Sequence, residues 1–100
     1  MIFYIGSKQF GGSSAVEVTR KIEGDCAAYH QEGGTVRDFI SWSLLQLEGQ
    51  LPRRELAVSD HVSDETLAFS YLCLLDRYGL GELDCLTEAN QHHPAKMNVR

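Results

Sequence analysis

Long apolar runs are missing from this 100-residue chain: nothing approaches the ~18 consecutive apolar residues of a membrane-spanning helix. The opening Met-Ile-Phe-Tyr-Ile is too short for a secretory signal and has no basic leader. Cysteine is scarce and odd in number, three in all, with neither the spacing of a disulfide framework nor Cys-x-x-Cys. Reduced thiols in a cytoplasm are the expectation. Proline occurs only at Pro52 and Pro94, so within the body of the chain only the region around 52 is barred from continuous helix. No Gly-x-Ser-x-Gly elbow is present, and Gly11-Gly12-Ser13-Ser14 lacks the Gly-Lys-Ser/Thr of a phosphate loop.

What is present describes a small globular domain. An apolar fraction of 43% beside 23% charged residues is ordinary for a folded chain, and one hundred residues suffice for one core without metal or disulfide. A single domain over 1–90 and a tail over 91–100 are expected. The net charge of −5 is unevenly spread. Residues 1–54 carry six acids and six bases, whereas 55–88 carry eight acids (Glu55, Asp60, Asp64, Glu65, Asp76, Glu82, Asp84, Glu88) against Arg77 alone. Such a field repels nucleic acid and attracts basic surfaces.

The strongest local signal is Ser63–Gly79. Ser63 suits a helix N-cap, Asp64 and Glu65 suit the positive end of the helix dipole, and Gly79 supplies a stop. At 100° per residue Leu67, Ala68, Tyr71, Leu72, Leu74, Leu75 and Tyr78 fall on one arc of roughly 160°. Phe69 and Cys73 lie outside that arc, facing either another element or a partner.

Upstream, Ile2–Ile5 and Lys8–Phe10 around Gly6-Ser7 read as a β-hairpin. Ser14 and Glu17 have capping-box spacing, opening a helix whose face holds Ala15, Val18, Ile22, Cys26 and Tyr29, with Gly24 a possible break and Gly33-Gly34 closing the segment. Strand over Val16–Thr19 is the competing reading. Thr35 opens a second helix, ended by Gly49, with Val36, Phe39, Ile40, Ser43, Leu44 and Leu47 inward and Trp42 and Leu45 pointing away. Leu56–Val58 is a candidate third strand, and Glu82–Asn90 a short last helix with Leu83 and Leu86 inward. The fold class expected is α+β, mainly helical: an N-terminal hairpin followed by three to four packed helices.

The outline helix, Gly-rich joint, helix over 63–90 matches a helix-turn-helix, but a reading helix needs bases, and this one offers Glu82, Asp84 and Glu88. Cys73, Cys85 and His92-His93 lack zinc-site spacing. Asp60-His61 resembles a positioned base without an activated nucleophile beside it. No catalytic residue, cofactor or metal is therefore expected.

The functional expectation is a non-enzymatic binding protein. Asp64, Glu65, Glu82, Asp84 and Glu88 would meet a basic surface on a larger protein or nucleoprotein complex, with Trp42 and Phe69 as apolar anchors. Because basic surfaces commonly hold nucleic acid, the sharper form is an inhibitor of a nucleic-acid-handling complex, without direct nucleic-acid or membrane binding. In size and charge the chain resembles small acidic proteins that phages carry against host defence, anti-CRISPR proteins among them. The alternative is a homodimer paired through the hairpin edge; a small enzyme using His61 or a cysteine is a third reading.

Overall fold

The computed structural model describes residues 1–29 and 34–84. Its order is β1 (Ile2–Ile5), β2 (Lys8–Gly11), α1 (Ala15–Asp25), α2 (Val36–Gln46), a 3₁₀ turn (Arg53–Leu56), α3 (Asp64–Arg77) and β3 (Glu82–Asp84). The expected class, α+β and mainly helical, is what forms.

The hairpin closes on Gly6, whose φ of +62° is paid for by no side chain. Ser7 keeps a negative φ, the sign pattern of a type II′ turn, which suits the right-handed twist of the flanking strands. Register pairs Phe3 with Phe10, and Phe3 with Leu83 on the other side. One row of three apolar side chains therefore crosses the antiparallel sheet, whose order is β2-β1-β3. Phe3, at its centre, is fully buried.

α3 is the element against which α1, α2 and β3 all pack. Leu67, Ala68, Tyr71, Leu72, Leu74 and Leu75 are buried, as the arc requires, and Tyr78 is half-buried. Ser63 caps the start, its hydroxyl accepting from the Thr66 amide. At the other end the Leu80 amide donates to the Leu75 carbonyl and the Gly79 amide to that of Asp76, a Schellman arrangement needing the positive φ of Gly79.

Four expectations change. First, α1 ends at Asp25, where Cys26 turns extended, instead of running on to Gly33-Gly34. Tyr29 still packs inward, against Phe39 and Trp42, because a turn after Cys26 brings it there. The competing strand over 16–19 is helix. Second, α2 stops at Gln46, short of Gly49. Third, Leu56–Val58 is not a strand: Pro52, already at φ −60°, seeds a 3₁₀ turn in which the Glu55 amide donates to the Pro52 carbonyl. Fourth, Glu82–Asp84 is a strand, not the start of a helix. It takes the open side of β1, and Gly81 allows the approach because a Cβ there would lie 2.3 Å from the Phe3 ring. The second helix of the helix-turn-helix outline accordingly does not begin at Glu82. Residues 85–90 and the expected 91–100 tail lie outside the described residues, and with them Leu86, Glu88, Cys85 and both adjacent histidines.

Candidate interaction surface

The carboxylates of the acidic third divide by what they hold. Glu65 lies in the first turn of α3, yet its carboxylate accepts from the Ala15 amide at 2.7 Å and the Val16 amide at 3.1 Å. These are donors that the start of α1 leaves without intrahelical partners, and a negative charge suits that end of the dipole. Glu65 thus caps a helix fifty residues away. Ser14 caps the same terminus from within the chain, accepting from the Glu17 amide. Glu17 reaches one residue further back than a capping box requires, accepting from the Ser13 amide and hydroxyl. Those bonds, the backbone one foremost, hold the Glu17 carboxyl below its ordinary pKa.

Asp64 pairs with Arg37 of α2 at 2.8 Å. The same guanidinium donates to the Ser59 carbonyl at 2.8 Å and to the Val62 carbonyl, so one side chain fastens the loop before α3 onto α2. Asp76 accepts from the Leu83 amide at 3.1 Å, tying β3 to the last turn of α3. Glu55 stands 3.7 Å from Arg77 and accepts from the Tyr78 hydroxyl at 3.5 Å. Asp60 and Glu82 are exposed, and Asp84 is half-buried at the end of β3.

The two expected anchors part company. Trp42 is half-buried, its ring 5.0 Å from Tyr29 and 6.0 Å from Phe39 between centroids, which joins α2 to the chain leaving α1. Burial among these rings, with Glu23 and Asp38 nearby, raises the Tyr29 phenol above its ordinary pKa. Phe69 is 38% exposed; Leu45, on α2, is 60% exposed.

Phe69 forms one wall of an open groove of about 280 Å³ along α3, with Cys73 beside it. Its floor is Ile40 and Leu44 of α2 with Leu67, Tyr71 and Leu74 of α3, and Glu55, Ala57, Ser70 and Arg77 complete it. Tyr71 and Ser43 hydroxyls lie 2.7 Å apart beneath. Burial pushes the Tyr71 phenol up to about 12, the Ser43 bond acting in the opposite sense. The i, i+4 spacing of Phe69 and Cys73 was the sequence sign of this second face; the groove itself needed the third dimension.

Among the described residues no group of three or more His, Cys, Asp or Glu side chains is placed to hold a metal, and no helix is long and apolar enough to cross a membrane. His61 and Asp60 are exposed, the His61 amide donating to the Ser59 hydroxyl.

No family model, no curated protein and no solved structure gives a significant match to the chain. The functional reading rests on the surface alone.

Proposed function

We propose that this is a non-enzymatic binding protein that engages a larger protein or nucleoprotein complex along the open side of α3. The observation that carries the reading is Phe69, an aromatic ring 38% exposed on the wall of a groove with an apolar floor and a rim that includes Glu55, Ser70 and Arg77. Aromatic rings seated at the centre of an interface commonly supply much of its affinity. The partner presents a basic surface, drawn by the net charge of −5 and by Asp60, Asp64 and Glu82 in exposed positions. In its finer form the protein is a cytoplasmic inhibitor that competes with nucleic acid for that surface, as a phage anti-defence or anti-CRISPR-like protein would.

Glu65 is removed from the contact set by this reading, since its carboxylate serves α1. Trp42 contributes by packing. The homodimer through the hairpin edge is the weaker reading, because β1 has strands on both sides and the Lys21 ammonium donates to the Gly11 carbonyl on β2.

The test is affinity capture from source-cell lysate, identification by mass spectrometry, then interferometry with the purified partner. Phe69→Ala is expected to speed dissociation about ten-fold, and charge reversal at Asp60 and Glu82 to slow association and flatten its salt dependence. Unchanged kinetics in both variants would contradict the proposal.

A further inference from the structure

Among the described residues, the helices cover one face of the three-stranded sheet. Successive side chains of a strand point to opposite faces. Phe3, Phe10 and Leu83 share the helical face, and Phe3 is fully buried there. Tyr4 therefore faces the other way, with Gln9 opposite it on β2 and Glu82 opposite it on β3. Tyr4 and Ile2 are half-buried without joining the core, and Gln9 and Glu82 are exposed. Directly opposed residues on paired strands stand about 4.5–5.5 Å apart between Cβ atoms, so Tyr4 and Glu82 are side-chain neighbours.

At this pair lies an open cleft of about 280 Å³, lined by Tyr4, Gly6, Gly79, Leu80, Gly81 and Glu82. A Cβ added at Gly6 or Gly79 would meet nothing within 4 Å, so the walls there are bare backbone and the space stays open. Gly79 and Leu80 follow the last turn of α3, the negative end of the helix dipole, which favours cations. Among the described residues Glu82 is the one charged side chain in the lining. Asp84 shares its face of the sheet, opposite Ile2, and Asp76 accepts from the Leu83 amide, but neither lines the cleft. The neighbouring bases are engaged elsewhere. Lys8 sits opposite Ile5, on the helical face, and pairs with Asp25 of α1 at 2.8 Å. Arg77 stands 3.7 Å from Glu55, in the groove along α3. An aromatic ring, a carboxylate and a negative helix end, with no base in the lining, suit a cation.

A guanidinium answers all three. Its plane stacks on an aromatic ring, its fork of N–H donors fits a carboxylate, and it stays charged throughout the physiological range. A lysine ammonium brings a point charge without the plane. Resting on the basic-partner part of the reading above, we infer that the cleft receives one arginine side chain of the partner, its guanidinium stacked on Tyr4 and bridged to Glu82. Glu82 is then a contact residue, not merely a contributor to the net charge.

The probe is N-acetyl-arginine amide, titrated at millimolar concentration and constant ionic strength into isotope-labelled protein and followed by amide NMR shifts. The shifts are expected to saturate and to centre on Gly6, Gly79, Leu80, Gly81 and Glu82. The neutral isostere N-acetyl-citrulline amide should leave those amides unmoved, and N-acetyl-lysine amide should bind about three-fold more weakly. Glu82→Gln should weaken arginine binding about five-fold and Tyr4→Leu about three-fold, whereas Tyr4→Phe, which keeps the ring, should match the parent. Dispersion of the same spectra reports that each variant folds. The inference is overturned if no cleft amide moves, if citrulline or lysine binds as tightly as arginine, or if Glu82→Gln binds as the parent does. Shifts spread around Asp60 and Asp64 instead of the cleft would equally overturn it. None of these outcomes involves the partner, so a failure here leaves the Phe69→Ala kinetics to decide the binding reading.

Discussion

Thr19 is fully buried in α1, and its hydroxyl has no hydrogen-bond partner among the described residues. A buried polar group left unsatisfied costs about 1–3 kcal/mol, so Thr19→Val, near-isosteric and apolar, should be neutral or stabilise by ~1 kcal/mol in a urea titration. A loss above ~1 kcal/mol would reveal a partner for that hydroxyl. Gly81 is the opposite case, a site with no room. Its added Cβ would meet the Phe3 ring at 2.3 Å and the Tyr4 carbonyl at 3.1 Å, and Phe3 is fully buried. Gly81→Ala should therefore cost about 1–3 kcal/mol through forced repacking. Tyr71 sets an alkaline limit. Its phenol is raised to about 12 in the fold, against 10.0 ordinarily. A folded pKa above the unfolded one gives stability that is complete below pH 10 and lost as pH climbs to 12, about 2–3 kcal/mol in all. The stability curve of Tyr71→Phe should lack that alkaline decline, whereas an identical decline would place the titration elsewhere.

Among the elements, α3 was legible in sequence because three independent signals agree on it: the Ser63 cap, the Gly79 stop and an unbroken 3.6-residue arc. The hairpin was legible for a similar reason, two short apolar runs joined by Gly6-Ser7. The third strand was not. Three residues, Glu82–Asp84, are too few to show a period, and their partner β1 lies at the other end of the chain. Leu83 points inward in a strand as it would in a helix, so the pattern could not separate the two. Placing that strand on β1 changes the expectation for assembly. The hairpin's inner strand is flanked on both sides, the Gly11 carbonyl is occupied by Lys21, and the outward Leu83 amide by Asp76. Side chains seated on the backbone of edge strands hinder pairing with another chain. Sedimentation equilibrium at high micromolar concentration should show a monomer; a dimer abolished by a proline in β2 would restore edge pairing.

For the molecule as a whole, the described carboxylates of the acidic third divide between those that tie elements together and those that do not. Counting eight acids against one base in 55–88 located the charge, but sequence spacing cannot show which carboxylates reach across the fold. Asp60, Asp64, Glu65, Asp76 and Glu82 are all exposed, but Asp64 fastens α3 to α2, Asp76 fastens it to β3 and Glu65 caps α1, while the Asp60 and Glu82 carboxylates hold no other element among the described residues. The groove escaped the sequence for the same reason, being built jointly by α2, the 3₁₀ turn and α3. That division of the acids is most directly tested by thermal unfolding of Glu65→Ala beside Glu82→Ala, monitored by circular dichroism. Glu65→Ala strips α1 of two charge-assisted caps and should lose about 1–2 kcal/mol. Glu82→Ala, at an exposed strand position, should stay within ~0.5 kcal/mol of the parent. Equal stability of the two variants, or a larger loss in Glu82→Ala, would contradict the account.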